Sequence, residues 1–187
     1  LRIFQRKAHL FLDQVPDDRD SFQWLALMQH HGAPTRLLDL TWSPYVALFF
    51  ALESATEDAA VWALSPPAVS DLDRLRIRGA SAIEPKKMAP WIMGNFEKYF
   101  LKGNLPLAII GEPYVMSRRL VSQAGTFVTP GVLNEPLEAI LSRYPRPRRT
   151  IAKFVLRIDK IREEAMRELY IMNITHATLF PDIEGLA

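Results

Sequence analysis

Cysteine is missing from the 187-residue chain, which excludes disulfide bonds, thiolate metal sites and cysteine nucleophiles. Long apolar runs are also missing, since the longest, at residues 45–52, falls far short of the roughly 20 residues that span a bilayer. Residues 1–12 lack the continuous apolar region and the small-residue cleavage site of a signal peptide. These absences predict a cytoplasmic protein without a membrane partner.

The common catalytic signatures are absent as well. The chain has no glycine-rich phosphate loop, no nucleophile elbow and no helical pair of histidines with a glutamate. An excess of charge is also lacking, because 23 Lys and Arg face 21 Asp and Glu, for a net charge of +2. This balance does not indicate a nucleic-acid partner. The basic loop at residues 146–149 lacks interleaved aromatic residues, and the nearby Tyr144 alone does not make a stacking surface.

What is present predicts one α+β domain over residues 1–187, with a short-stranded mixed or antiparallel sheet and buried helices. Ser21 is expected to cap the second helix, and Asp159 the last long one, which Asn173 ends. Because the chain starts within a helical pattern, we expect part of the natural domain to precede Leu1. The expected helices cover 1–12, 21–31, 44–52 and 89–102, with one or two turns in 69–78. The expected strands cover 35–40, 60–64, 107–110, 122–128 and 150–158, of which 60–64 is buried and 150–158 half-buried.

A polar cluster at residues 29–44 lies between two strongly apolar segments. Gln29 brings an amide to the end of an apolar helix stripe, and Arg36 and Asp39, three apart in a strand, fall on opposite faces and do not pair directly. Ser43 followed by a proline predicts a helix start, and a helix N-terminus beside an arginine is a ready anion site. The alternative is structural: Asp39 braces the following turn while Arg36 pairs with a distant carboxylate.

His30 and His31 do not indicate a metal site. Neighbouring residues of a helix point about 100° apart, and no cysteine is available as a further ligand. We therefore predict no metal. One of the two imidazoles is expected to hydrogen-bond the turn at residues 32–35.

A second group of polar residues precedes a later strand. Arg118, Arg119 and Gln123 are candidates for a second pocket wall, with Gly125 either weakening the strand or admitting a ligand. The alternative is an exposed basic loop followed by a strand with a hydrogen-bonded glutamine. The residues alone leave both open.

The central segment resembles the main motif of the FRG domain family. That motif is Gln29-His30-His31-Gly32-Ala33-Pro34-Thr35-Arg36-Leu37-Leu38-Asp39, followed by Ser43-Pro44 and Ala47-Leu48-Phe49-Phe50-Ala51. Arg119 with residues 123–127 is similar to a later motif, and residues 177–187 to the C-terminal signature, so the resemblance runs from about residue 22 to the end. The aromatic-Arg-Gly motif that names the family is not in this chain, and Leu40 stands where the family carries tryptophan.

A weaker resemblance is to the layout of the ADP-ribosyltransferases, with residues 41–43 and 47–51 as the middle motif and 123–130 as the last. It implies a similar fold and NAD as ligand or substrate. In those enzymes a glutamate of the last motif stabilises a cationic transition state, whereas here the aligned positions are Gln123 and Gly125. Asp39 and Glu184 are the remaining candidates for a catalytic carboxylate.

Two hypotheses follow, and the sequence leaves open whether the protein is an enzyme. In the first, a nucleotide-type ligand is bound, with arginines on its phosphates and glutamines on a ring or ribose. The candidate binding residues are Gln29, His30, Thr35, Arg36, Asp39, Ser43, Arg119 and Gln123. In the second, the chain is a non-catalytic sensing module with a protein partner in a bacterial or phage-linked stress or defence system, and the polar cluster is structural.

Overall fold

The structure, a computed structural model, describes residues 1–70, 88–144 and 146–186. Most of its helices are short, and the described part also contains a π-helix (Phe96–Leu101) and a 3-10 turn (Ile183–Leu186). In chain order the α-helices are α1 (Arg2–Ala8), α2 (Ser21–His30), α3 (Pro44–Glu53), α4 (Pro66–Val69), α5 (Arg118–Ser122), α6 (Leu137–Leu141), α7 (Pro147–Thr150), α8 (Ile158–Ile171) and α9 (His176–Leu179). The predicted turns at 69–78 lie almost entirely outside the described residues.

The strands of the described part form two antiparallel sheets. They are β1 (Leu38–Thr41), β2 (Ala59–Leu64), β3 (Ala108–Gly111), β4 (Gly125–Pro130) and β5 (Ile151–Leu156). One sheet has the order β1–β4–β3, and the other pairs β2 with β5. The predicted α+β class with short antiparallel strands is confirmed.

The first two helices start and end differently from the predicted boundaries. α1 ends at Ala8 rather than residue 12, and the following Leu10 and Phe11 are exposed, so no packing extends the helix. The N-cap of α2 is Asp20 and not Ser21, because the Asp20 carboxylate accepts a 3.0 Å hydrogen bond from the N–H of the third helical residue.

The C-terminus of α2 is closed by glycine, as predicted. Gly32 has a φ of +74°, and its N–H donates to the Gln29 carbonyl while the N–H of Ala33 donates to that of Met28. This is the Schellman arrangement, which needs a left-handed residue just beyond the helix. It turns the chain back along α2 towards β1.

β1 begins at Leu38 and not at Thr35. The Thr35 hydroxyl accepts a 3.0 Å bond from the N–H of Leu37, and this local turn competes with strand pairing. In the β1–β4 register, residue 36 would face Pro130. Instead, the Arg36 guanidinium donates to the Pro130 carbonyl at 2.8 Å.

α3 starts as predicted but is not buried on every side. The Ser43 hydroxyl accepts a 3.3 Å bond from the N–H of the third helical residue, and Pro44 is the first residue of the helix. Tyr45 and Phe50 are exposed, because the smaller apolar cluster lies on one side of the helix only. The buried stripe consists of Val46, Phe49 and Leu52.

The main core fills the space between α2, the three-stranded sheet, the π-helix and α6. Phe22 stacks on Phe96, which stacks on Phe100, with centroid distances of 5.2 and 5.4 Å. The Tyr144 hydroxyl accepts from the N–H of Ala108 and donates to its carbonyl, both at 3.0 Å. Burial raises the pKa of Tyr144 to about 12, against the opposing effect of the hydrogen bond to Ala108.

The two-stranded sheet and the segments that flank β5 also differ from the expectations. Phe154 and Trp62, in the two-stranded sheet, are exposed, so the predictions of a buried strand at 60–64 and a half-buried one at 150–158 are wrong there. Asp159 lies in the first turn of α8 and does not cap it, and the loop at 143–149 contains the start of α7. Asn173, with a φ of +61°, follows the end of α8 as predicted. Among the described residues, no helix is long and apolar enough to cross a membrane.

Candidate functional site

A cleft of about 120 Å³ opens between one face of α2, the strand β1 and the short helix α5. Five of the predicted site residues line it together. They are Gln29, His30, Asp39, Arg119 and Gln123. The fold therefore brings the two polar groups of the sequence, about 90 residues apart, to one place.

The wall formed by α2 and β1 is a chain of hydrogen bonds. The Gln29 amide nitrogen donates to the Asp39 carboxylate at 2.8 Å, and the Thr35 hydroxyl donates to the Gln29 amide oxygen. Thr35 thus supports the wall without lining the cleft. The hydrogen bond from Gln29 binds one oxygen of the exposed Asp39 carboxylate and therefore fixes the orientation of this side chain.

Arg36 lies away from the cleft lining. Its two terminal nitrogens donate to the main-chain carbonyls of Phe100 and Pro130, joining the last turn of the π-helix to the end of β4. The Phe100 carbonyl belongs to a helix end, where carbonyls lack helical partners and a cation is favourable. Burial lowers the pKa of Arg36, and its buried Nε has no hydrogen-bond partner among the residues that the structure describes. Ser43, which caps α3, does not line the cleft either.

Arg119 presents a free guanidinium to the cleft. The N-cap Ser117, whose hydroxyl accepts a 3.1 Å bond from the N–H of Leu120, fixes the start of α5. The guanidinium carbon of Arg119 lies 4.2 Å from the ring centroid of Phe180, a cation–π distance. No hydrogen bond or ion pair engages its nitrogens in the described ranges.

Gln123 ties the end of α5 to two other parts of the chain. Its amide nitrogen donates to the Leu179 carbonyl at 3.1 Å, and its main-chain carbonyl accepts a 2.7 Å bond from the Thr41 hydroxyl. The next residue, Ala124, has a φ of +46°, a conformation that costs an L-residue about 1–2 kcal/mol. The turn that positions Gln123 is thus held in place by contacts on both sides.

Gly125 allows α5 to approach β4. A Cβ at this position would lie 2.5 Å from the Leu120 side chain and 3.1 Å from the Leu120 carbonyl oxygen. The two roles expected for Gly125 were a weakened strand and the admission of a ligand, and the structure shows a third, the close packing of α5 on β4.

The sequence comparison assigns the first wall of this cleft to a family. Residues 1–60 match the model of the FRG domain. This segment is FRG-domain sequence. Comparison with curated proteins and with solved structures finds no match. The recognition of the FRG domain is confirmed over residues 1–60, and the resemblance of residues 119–127 and 177–187 to later family motifs stays a prediction.

The FRG segment contains α1, α2, β1 and α3, and therefore Gln29, His30 and Asp39. The opposite wall, with Arg119 and Gln123, lies outside the matched residues. The C-terminal segment reaches this second wall through the contacts of Leu179 and Phe180. Glu184, the other candidate carboxylate, falls in the 3-10 turn, and its side chain lies outside the described part of the structure.

Two features of the cleft were not predicted. The Gln23 amide donates to the Val115 carbonyl at 2.7 Å and accepts from its N–H at 3.0 Å, which holds the loop after β3 against α2. Gln23 lies seven residues before His30, on the same helix face, so its helical spacing was an available signal. For Val115 the sequence carries no comparable signal, because loop residues follow no period.

The two adjacent histidines line different surfaces. His30 lines the cleft, whereas His31 lies in an apolar groove between α1 and α2. This separation agrees with the expected angle between neighbouring helical residues. No group of three metal-ligating side chains occurs among the residues that the structure describes.

Proposed function

We propose that this FRG-domain protein binds a nucleotide-type ligand, with NAD as the model compound, in the cleft between α2 and α5. The free guanidinium of Arg119 carries the proposal. It is held over the ring of Phe180, and its planar fork matches the oxygens of a phosphate. A cation at the wall of a cleft, with no ionic partner in residues 1–70, 88–144 and 146–186, is well suited to bind an anion.

The other polar groups suit the uncharged parts of a nucleotide. The Asp39 carboxylate, with one oxygen bound by Gln29, has the second available to accept from a ribose hydroxyl or a carboxamide. The amide oxygen of Gln123 is a further acceptor, since the nitrogen is used by Leu179. Ligand pockets usually measure about 300–1,000 Å³, so a 120 Å³ cleft encloses one end of such a ligand only.

A relation to the ADP-ribosyltransferases is part of this proposal. Cleavage of the nicotinamide–ribose bond develops positive charge on the ribose, and a fixed carboxylate stabilises that charge in the transition state. Asp39 is a carboxylate of the cleft that is already oriented by a hydrogen bond. We assign it the electrostatic role in a reaction in which water bonds to the ribose carbon as the bond to nicotinamide breaks, so that ADP-ribose, a proton and nicotinamide are released and nicotinamide is the measured product.

Isothermal titration calorimetry with NAD, ADP-ribose, ATP and GTP tests the binding. Arg119→Ala is expected to abolish it, whereas Arg118→Ala, which removes an exposed charge one residue away, is expected to leave it unchanged. Binding of none of the four compounds, or equal binding by both variants, would overturn the proposal. Nicotinamide release that is lost in Asp39→Asn, with binding retained, would establish the catalytic role.

A non-catalytic sensing or interaction module is the second candidate. The observation that favours it is that Gln29, Thr35 and Asp39 hydrogen-bond one another and Arg36 binds main-chain carbonyls, so much of the polar motif has structural partners. Under this second function no nucleotide binds. The calorimetric titration with NAD, ADP-ribose, ATP and GTP therefore distinguishes the two proposed functions.

A further inference from the structure

We infer that Phe180 is a positioning residue of the proposed anion site and that His176 holds Phe180 in place. Neither side chain lines the cleft, and both act through Arg119, which does line it. The inference rests on the proposed nucleotide binding and deepens it, because it states what orients the cation that meets the phosphates.

The guanidinium of Arg119 is held by an aromatic ring. Its nitrogens have no hydrogen bond or ion pair in the described ranges, and its carbon lies 4.2 Å from the centroid of the Phe180 ring. The negative face of that ring attracts the cation. A long side chain that is ordered before the ligand arrives loses less conformational freedom on binding. The contact with Phe180 therefore prepares Arg119 for an anion.

The Phe180 ring is itself fixed by several contacts. The His176 imidazole stacks on it, with centroids 4.3 Å apart and an angle of 20° between the two planes. Phe50 of α3 packs against it edge to face, with centroids 6.0 Å apart. The main-chain N–H of Phe180 donates to the His176 carbonyl at 2.9 Å. These contacts leave the ring little freedom to turn away from Arg119.

His176 is anchored outside the cleft. Its Nε2 lies 3.7 Å from the carboxylate of Glu53, the last residue of α3, and its Nδ1 lies 3.4 Å from the Gly185 carbonyl oxygen. His176 and Glu53 line a separate depression, which shares no lining residue with the cleft. A row of contacts from Glu53 through His176 and Phe180 to Arg119 thus joins α3 to α5. Substitutions in this row are expected to change anion binding without touching the ligand.

Isothermal titration calorimetry with ADP-ribose tests the role of Phe180. Ordering a long side chain on binding lowers affinity by about two- to twelvefold. Phe180→Leu keeps an apolar side chain but lacks a ring, and it should weaken binding by about this factor. Phe180→Tyr keeps the ring and should retain the affinity. Phe154→Leu, which removes an exposed ring from β5, is the matched control and should leave the affinity unchanged.

A spectroscopic signal of Arg119 tests the positioning without a ligand. A proton held over the face of an aromatic ring is shifted upfield in the NMR spectrum. The Nε–H proton of Arg119 should therefore resonate upfield of that of the exposed Arg118, and its absence in Arg119→Lys assigns it. Phe180→Leu should abolish the upfield shift, and Phe180→Tyr should keep it.

His176 is tested by the same two measurements. His176→Ala removes the ring stacked on Phe180, so it should reduce both the upfield shift and the affinity, by a smaller factor than Phe180→Leu. His176→Phe keeps a stacked ring and should retain both, and His9→Ala, at an exposed position, is the control. Circular dichroism with thermal melting checks that each variant is folded, and Phe180→Met takes the place of Phe180→Leu if the latter does not fold.

The outcomes separate the inference from the function beneath it. An unchanged affinity in Phe180→Leu overturns the inference, as does an equal loss in Phe180→Leu and Phe180→Tyr, which would indicate packing alone. An unchanged shift and affinity in His176→Ala refute the part assigned to His176. If the unsubstituted protein does not bind ADP-ribose, the proposed function fails, and the Nε–H signal alone decides whether Phe180 orients Arg119.

Discussion

Replacing Arg36 by methionine separates a structural arginine from a ligand-binding one. Arg36 belongs to the segment that matches the FRG domain and was a candidate phosphate ligand. Its guanidinium is instead bound by the carbonyls of Phe100 and Pro130. Methionine keeps part of the apolar stem and removes both hydrogen bonds. It leaves the two carbonyls without these donors.

The expected loss follows from those two contacts. A hydrogen bond to a charged group contributes about 1.5–3 kcal/mol, so the pair gives about 3–6 kcal/mol. Part of this is offset, because the substitution also removes a half-buried charge and an Nε without a hydrogen-bond partner in the described part of the chain. We expect the free energy of unfolding to fall by about 3 kcal/mol, a large share of the roughly 5–15 kcal/mol that is usual for a domain.

Urea unfolding at pH 7, followed by tryptophan fluorescence, measures the change. Arg118→Met, at an exposed position, is the control and should lie within about 0.5 kcal/mol of the unsubstituted protein. The unfolding free energy of Arg36→Lys should lie between those of Arg36→Met and Arg118→Met, because an ammonium keeps the charge but lacks the planar fork that reaches two carbonyls. A loss below about 1 kcal/mol for Arg36→Met, together with loss of nucleotide binding, would refute the structural assignment.

Three further predictions concern stability. Between pH 10 and 12 the unfolded Tyr144 loses its proton while the folded one keeps it, so stability present below pH 10 is lost with rising pH, by up to about 2.7 kcal/mol. Tyr144→Phe should be about 1–3 kcal/mol less stable at pH 7, because the N–H and carbonyl of Ala108 lose their hydrogen-bond partner. In urea unfolding this variant should also lose less stability between pH 10 and 12 than the unsubstituted protein. Plots of unfolding free energy against pH that run parallel for the two proteins would contradict this. Gly125→Ala should lower the midpoint of thermal unfolding and weaken ligand binding, because the new methyl group displaces Leu120 and with it α5. An unchanged midpoint would contradict the close packing at Gly125. Asp39→Asn should lower the free energy of unfolding in urea by about 0.5–1 kcal/mol, because a neutral acceptor replaces the charged one that binds the Gln29 amide. A stability equal to that of the unsubstituted protein would count against the hydrogen-bonded wall.

Local signals in the sequence were sufficient where a few neighbouring residues decide the structure. Ser43 and Pro44 start α3, and Gly32 ends α2, because caps and left-handed residues act within one turn of the chain. The α+β class followed from hydrophobic periodicity in the same way. Gln29 and Asp39 were both selected as site residues, and they lie only ten positions apart.

Contacts between distant parts of the chain decided the rest. The partners of Arg36 are 64 and 94 residues away, and no local pattern distinguishes two main-chain carbonyls from a phosphate as its acceptor. The exposure of Phe50 depends likewise on which elements pack against α3. The apolar sequence of a helix sets how much of its surface can be buried, whereas the elements packed against it set how much of that surface is buried.

The hydroxyl of Tyr144 has a consequence for how the protein behaves at high concentration. β3 is an edge of the three-stranded sheet, and an edge strand with unpaired N–H and C=O groups is a template on which another chain can add a strand. At Ala108 both groups are occupied by one side chain of the same molecule. Tyr144 therefore makes this position of the β3 edge unavailable for pairing with a strand of another chain.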